Sequence, residues 1–485
     1  MMKKNTLAIS LILTAVLFLS CSYPGGPAKT NSPNIIYILL DEWGYYEWSA
    51  MNHHLIETPN IDIVASEGMR FTQLLAGGCV CAPTRSTLMT GQHTGQTTVR
   101  ANKGGNSLCE DDITIARVLS DAGYATGGFG KWGLGDLGTS GVPERQGFDV
   151  FYGYYHQAHA HSYYPKYLIK NSVKIPLKGN PGHAYKGETF SQYLIHDEAK
   201  KFIKENAGEK PFFAYLPYTP PHAFYGIPDN DPSYLKYKDK DWDAPPHHTD
   251  SKVSAGDEAQ RYAALMNLVD RQIGEILDLL KELNIDDNTI LIVSGDNGGA
   301  GHVFTNEKYP HSFFKPNVNP NTGEYFRGRK GNLYEGGLRV AFMARWPGKI
   351  KPGTISDHLG YFPDILPTFA EIARAKTPDN INGISILPEL LGKKNQKDHE
   401  CLYWEYIGWE AVRVDNWKAV KPPNSNEFEL YNLSNDISEQ NNIASKHPDM
   451  IRRIKEYAKE AQKPERKGTV YDKDAAFNLK EDYYR

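Results

Sequence analysis

The sequence predicts an α/β protein built on a large, mostly parallel central sheet flanked by helices, with a small antiparallel C-terminal subdomain. Three observations predict it. Continuous apolar, β-branched runs end in polar residues, helical patterns lie between those runs, and the chain beyond residue 392 breaks into short segments divided by turns.

The first run, Asn34 to Leu40, reads Asn-Ile-Ile-Tyr-Ile-Leu-Leu and ends at Asp41-Glu42. It lacks polar alternation, so it predicts a strand buried on both faces. Lys210 to Leu216 is a second such run, ending before Pro217, and Thr289 to Ser294 a third, ending at Gly295-Asp296-Asn297. Apolar residues recur at three and four from Ile113 to Ala122 and from Ala259 to Leu283, which predicts helices covering the sheet. Sheets of this kind build their sites at the carboxyl ends of the strands. The pattern loosens from Asp379 to Gly392, and the charged connection Lys393 to Lys397 follows. The reading is therefore a main domain over 34–392 and a subdomain over 393–485. In the latter, Cys401 to Tyr406, Ala411 to Val414 and Lys418 to Val420 predict short strands and Pro448 to Gln462 a helix, while the polar residues 463–485 either wrap or fray.

At the other end, Lys3 and Lys4 precede an apolar run from Leu7 to Leu19, which predicts a secretory leader over 1–20 that is too short to span a bilayer. Phe18-Leu19-Ser20-Cys21 resembles a bacterial lipobox. Cys21 is then the lipidated terminus and 21–33, rich in Pro and Gly, a flexible tether. The expectation is an exported lipoprotein, periplasmic or anchored to the outer membrane, that meets the membrane only through this lipid.

Composition narrows the function. With 40% hydrophobic and 23% charged residues the chain has material for a large core, and disorder is not the default. Loss of Lys3 and Lys4 leaves 52 basic against 58 acidic residues, a net charge of about −6, so no nucleic-acid partner is expected. The 30 Tyr among 12% aromatic residues suit a sugar-handling surface, or rings packed at domain edges. Of five Cys, Cys79 and Cys109 are either a pair or buried free thiols.

The chemistry is carried by Cys81-Ala82-Pro83-Thr84-Arg85, followed by Thr90-Gly91, and by Gly123 to Gly135, which contains Gly130-Lys131-Trp132-Gly133. These two blocks, in this order, resemble the two signatures of the type I, formylglycine-dependent sulfatases of the alkaline phosphatase superfamily, among them the bacterial carbohydrate sulfatases. The resemblance runs from Asn34 to the Glu429–Leu433 region. It implies the alkaline-phosphatase-like fold and hydrolysis of sulfate esters, expected here to be esters on a carbohydrate. It also implies conversion of Cys81 by a maturation enzyme to formylglycine (3-oxoalanine), whose hydrated aldehyde attacks sulfur, with Arg85 as the cation fixing that hydrate and Lys131 binding the sulfate. Asp41, Glu42, Asp296 and Asn297 match the family's metal ligands together with the residue at 81. An oxygen-rich set suits Ca²⁺, with Mg²⁺ as the alternative. His222 and Lys330 resemble positions that touch the ester oxygens, where a departing alkoxide must be neutralised or protonated.

Three departures stand out: Thr84 where Ser is usual, Glu42 where Asp is usual, and Gly133 where the family has His. The last leaves open which base drives sulfate release. His156-Gln157-Ala158-His159-Ala160-His161 is the nearest imidazole source. In an extended segment His159 and His161 point to one face, so both are expected on a substrate-facing wall, with structural histidines as the alternative. His302, just past Asn297, is a further rim candidate. Gly128-x-Gly130-x-x-Gly133 also matches a dinucleotide fingerprint, but no helical pattern follows it. The competing functions are phosphonate monoester or phosphodiester hydrolysis, and a catalytically dead glycan-binding lipoprotein.

Overall fold

The structure is a computed structural model that describes residues 32–102, 106–222 and 224–484. The expected leader, Cys21 and nearly all of the tether lie outside the described residues. Ten strands form one sheet, in the order Thr354–Ser356, Met69–Phe71, Phe342–Arg345, Thr289–Gly295, Asn34–Leu40, Phe212–Tyr218, Ala125–Lys131, Val150–Tyr154, Tyr167–Lys170 and Val173–Pro176. The five central strands, from Thr289–Gly295 to Val150–Tyr154, are parallel; Phe342–Arg345 runs antiparallel to Thr289–Gly295, Tyr167–Lys170 antiparallel to Val150–Tyr154, and Val173–Pro176 antiparallel to Tyr167–Lys170 and so along the central strands.

All three runs singled out in the sequence are central strands buried along their length. Burial on both faces follows from the pleat. Ile36, Ile38 and Leu40 pack into one apolar layer with the helix Glu258–Glu282, while Ile35, Tyr37 and Leu39 pack into the other with the helices Cys81–Thr90, Ile115–Asp121 and Ile365–Ala373. The second strand does not stop before Pro217 but runs on to Tyr218. Its neighbour Ala125–Lys131 pairs with it only as far as Gly128 opposite Tyr215, so the missing N–H of Pro217 falls where no ladder bond is lost on that side.

The four strands Leu402–Tyr406, Trp409–Val414, Trp417–Lys421 and Glu429–Asn432 form an antiparallel sheet. Its alternation is two-faced. Tyr403, Val412, Ala419 and Leu430 cover Ile454 and Ala458 of the helix Pro448–Ala461. Leu402, Trp404, Ala411 and Val420 pack instead on Leu75, Cys79, Val80 and Leu338 of the main part of the molecule, and Trp404 Nε1 donates to Ala76 O at 2.9 Å. The small sheet therefore buttresses the loop that leads into Cys81. The residues beyond the last helix wrap rather than fray. Arg466 pairs with Asp111 and Asp112, Val470 bridges to Thr139, Thr469 N donates to Ser140 Oγ, and Phe477 N donates to Asp136 Oδ2. Among the described residues no helix is long and apolar enough to cross a membrane, and Cys79, Cys81, Cys109 and Cys401 are free thiols. The Cys79–Cys109 alternative is thus settled as two unpaired thiols.

Candidate active site

Each functional side chain is delivered by the end of a buried element. Asp41 and Glu42 leave the strand Asn34–Leu40, Asp296 and Asn297 leave Thr289–Gly295, and Lys131 closes Ala125–Lys131; these three strands lie within one stretch of the sheet. Cys81 opens a helix whose ten residues, Arg85 included, are all buried. His222 follows Phe212–Tyr218, and Lys330 sits on the loop before the short helix Glu335–Leu338.

The cluster is an interlocked set of opposite charges. Lys131 Nζ lies 2.6 Å from Asp41 Oδ2, and Arg85 Nη2 lies 3.4 Å from the same oxygen and 3.1 Å from Asp296 Oδ2. Arg85 also donates to Lys131 O at 2.6 Å, so guanidinium and ammonium are held side by side. All four side chains are fully buried. Ions in such a place persist only when paired. Burial alone raises the Asp41 pKa, but Lys131, His222, Arg85 and Lys330 outweigh it and hold the carboxylate well below its ordinary range. Asp296 is driven the other way, by burial and then by Asp41.

Cys81, 1% exposed, points its thiol at Asp41 Oδ1 at 3.3 Å. Burial first, and then the Asp41 charge, push the thiol up, so it stays protonated and is a poor nucleophile as it stands. Glu42 adopts a left-handed backbone, φ 64, and its N–H donates to Asp296 Oδ1 at 3.1 Å. A non-glycine residue held there is strained unless its surroundings fix it, which the Asp296 bond does. Its carboxylate meets His222 Nε2 at 2.6 Å and is paired with Lys330, whose Nζ is 3.2 Å from His222 Nε2. Burial lowers the His222 pKa to about 3 and the Lys330 pKa to about 8.

Donor atoms of Asp41, Glu42, Cys81 and His222 lie within 4.8 Å of one another, a spacing able to hold one cation. Asn297 adds a buried carbonyl oxygen without a hydrogen-bond partner, and Asp296 a carboxylate bonded to Glu42 N. Carboxylates and an amide carbonyl suit a hard divalent ion, and the orphaned Asn297 oxygen gains its missing partner if one binds.

The histidine segment differs from expectation. Residues 158–161 form a 3-10 turn, not an extended wall, so His159 and His161 point apart. His159 is buried, bonded through Nε2 to Tyr167 O at 2.9 Å and stacked on Phe477, a core position rather than a substrate-facing one. His161 alone reaches the cluster, with its ring centroid 4.7 Å from that of His222. His302 is exposed at the rim, 6.1 Å from the ring of His247. The sequence reading passed over Gln157, although it stands within the histidine motif; a neutral amide gives no titration or ligand signal to find it by.

Comparison with known proteins identifies the family. The sulfatase family matches residues 33–375, and the C-terminal region of N-sulphoglucosamine sulphohydrolase matches residues 323–464. An uncharacterized sulfatase of Schizosaccharomyces pombe is 29% identical, with 89% of this chain and 93% of that protein aligned. An N-acetylgalactosamine-6-O-sulfatase of Bacteroides thetaiotaomicron is 28% identical over 88% of this chain and 93% of its own length. The crystal structure of Ps i-CgsB in complex with a k-i-k-neocarrahexaose superposes with a TM-score of 0.73 at 25% identity, covering 91% of this chain and 96% of that one.

Proposed function

The chain belongs to the sulfatase family, and from that premise we propose that it removes sulfate from a carbohydrate ester using formylglycine at position 81 and a divalent cation. Hydrolysis of sulfate esters is the activity of the family. The carbohydrate substrate is supported by relatives that carry sugar-sulfatase names.

The observation that carries the reading is the convergence on Cys81 of Asp41, Arg85, Lys131, His222 and Lys330, from separate elements, in a buried site. A protonated thiol there does no chemistry, which favours its conversion by a maturation enzyme. Formylglycine would supply, once hydrated, one hydroxyl to attack sulfur and a second whose deprotonation expels sulfate. A cation, Ca²⁺ or else Mg²⁺, would be held by Asp41, Glu42, Asp296, Asn297 and the residue at 81, and would supply charge stabilisation to the sulfuryl oxygens. Arg85 orients the group at 81 while staying bonded to Asp296. Lys131 and Lys330 bind the sulfate, and their charges oppose the charge that builds on its oxygens. Lys330, whose Nζ lies 3.2 Å from His222 Nε2, supplies the proton that neutralises the departing sugar oxygen, and the uncharged His222 relays it. To His161, whose ring centroid lies 4.7 Å from that of His222, we assign the proton that a residue at 133 does not take. We place the protein outside the cytoplasm on an N-terminal lipid, on the strength of the lipobox-like Phe18 to Cys21.

Mass analysis of active enzyme tests the central claim. The peptide containing position 81 should be about 18 Da lighter than its Cys form, as covalent catalysis through an aldehyde requires. Cys81→Ala should abolish turnover while leaving the thermal midpoint unchanged. Full activity with an unmodified thiol refutes the proposal.

A further inference from the structure

Gly133 follows Lys131 by two residues and has φ +79, a conformation that side chains rarely adopt. A Cβ built there would meet Gln157 Nε2 at 1.9 Å. The space that a side chain at 133 would fill is therefore occupied by a carboxamide from another segment. That carboxamide is held on one side only. Gln157 Nε2 lies 3.5 Å from Gly133 O, whereas Oε1 is buried and has no hydrogen-bond partner. Leaving a buried amide oxygen without a donor is unfavourable, so a group that brings a donor is bound preferentially.

Gln157 faces a cavity of about 190 Å³, lined also by Ala82, Gly133, Asp136, His156 and His161. Ala82 adjoins the nucleophile position, and the His161 ring touches that of His222, so the cavity opens directly beside the sulfate-binding cluster. Besides the amides of Asn102 and Asn106 and the hydroxyls of Thr139 and Tyr155, it presents the Gln157 amide, a carboxyl and two imidazoles; the buried side-chain acceptor among them that has no donor is Gln157 Oε1. The Asp136 carboxyl is fixed in place by Leu137 N at 2.9 Å and Phe477 N at 2.8 Å. Hydroxyl and N–H donors satisfy acceptors of this kind, and an acid on the wall opposes a second anion.

We propose that this cavity is a subsite for an uncharged, hydroxyl-bearing sugar ring, and that Gln157 is the specificity-determining residue, accepting a hydrogen bond from one of the ring's hydroxyl or N–H groups. The inference rests on the sulfatase reading and adds the substrate class to it: a monosulfated ring without a carboxylate or second sulfate.

The test uses the mature full-length enzyme, its Gln157→Ala and Gln157→Met variants, and three kinds of probe. These are a panel of monosulfated hexoses and N-acetylhexosamines, D-glucosamine-2-N,6-O-disulfate, and an aryl sulfate without hydroxyl groups. The wild type should favour at least one monosulfated ring over the disulfated one tenfold or more in kcat/KM. Each variant should lower the ratio of sugar to aryl kcat/KM about tenfold, through KM, with kcat on the sugar within about threefold. Met fills the volume without an acceptor, so the same loss in both variants, with unchanged thermal midpoints, isolates the lost hydrogen bond from a packing defect. The best sugar with its Gln157-facing hydroxyl removed should show the same loss on the wild type and no further loss on either variant. Equal losses on sugar and aryl sulfate, no loss at all, preference for the disulfated ring, or turnover of the aryl sulfate alone each overturn the subsite and leave the sulfatase reading standing. Failure to hydrolyse any sulfate ester, with position 81 shown to be converted, overturns that reading itself.

Discussion

Replacing Lys418 by Met tests how the small antiparallel sheet supports the site. Lys418 Nζ lies 2.9 Å from Glu335 Oε1 and 3.1 Å from Glu439 Oε1, and all three side chains are fully buried. Removing one partner of a buried ion pair costs about 3–5 kcal/mol, because the remaining charge is left without compensation. The structure shows where that penalty falls. Glu335 keeps its salt bridge to Arg339 at 2.6 Å and stays ionised. Glu439 keeps only the bond from Glu335 N to its Oε2, and its carboxyl is already raised to about 7 by burial and by Glu335. The loss therefore concentrates on Glu439. A raised carboxyl pKa makes the folded state bind the extra proton, so stability falls as pH rises and the Lys418→Met defect is larger at pH 8 than at pH 6. Adding Glu439→Gln removes the stranded charge and offers an amide donor to Glu335, so the double variant should recover about 2 kcal/mol of the loss. Urea denaturation of the wild type and the variants at both pH values measures this. The sugar-sulfate KM should rise in Lys418→Met, because Arg327, on the loop that carries Lys330, bonds to Glu439 O at 2.8 Å. A loss below about 1 kcal/mol, or a double variant less stable than Lys418→Met, refutes the reasoning.

Chelation should inactivate the enzyme and lower its thermal midpoint, and Ca²⁺ should restore both; a metal-free protein with full activity excludes the cation. Glu47 is buried, accepts bonds from Gly44 N at 2.7 Å and Tyr262 OH at 2.6 Å, and is raised from 4.5 to about 7 by burial. The folded state therefore loses about 3 kcal/mol from this group as pH rises from 4.5 to 7, and Glu47→Gln should flatten the stability profile over that window. His159→Ala should lower the thermal midpoint with little effect on kcat, since the ring fills core between Tyr167 and Phe477. His161→Ala should lower kcat by about a hundredfold or more, as loss of a general base does. Equal kinetic effects from the two would contradict the separation seen between their rings.

Those two histidines also mark where sequence pattern stopped being informative. The three central strands were legible because apolar runs buried on both faces have no other good explanation, and the polar exits Asp41-Glu42 and Asp296-Asn297 came with them. The edge strands were not: Val173–Pro176 is exposed throughout, and Thr354–Ser356 is too short to show a period. His159 and His161 were placed on one wall by assuming a period of two, and the 3-10 turn, with three residues per turn, separates them. Lys131 and Lys330 carry no local signal of their own burial. Only the Asp41 and Glu42 carboxylates, delivered by another strand, make a buried ammonium tolerable at either position. Gln157 shows the same limit, since its importance comes from the missing side chain at Gly133, a relation visible only in three dimensions.

The segment 463–482 has a consequence for the order in which the molecule is assembled. It binds the loop containing Asp136 and Ser140 through contacts spanning 341 and 329 residues of chain. Loop length does not set it apart from the cluster itself, whose Glu42 N to Asp296 Oδ1 bond spans 254 residues, within one doubling and so within about 0.6 kcal/mol. Burial does: none of residues 463–482 is buried, whereas Asp41, Lys131 and Asp296 at the sheet ends are fully so. Segments with few buried contacts are the least stable and the last to be held, so a folding chain completes its sulfate-binding cluster while the cavity wall beside Gln157 is still open. Pulse-labelled hydrogen exchange should show protection of the Thr289–Gly295 amides before that of Thr469 and Tyr471, and the reverse order would disprove the sequence of events. Competence to hold the sulfate group thus precedes the ability to tell one sugar from another.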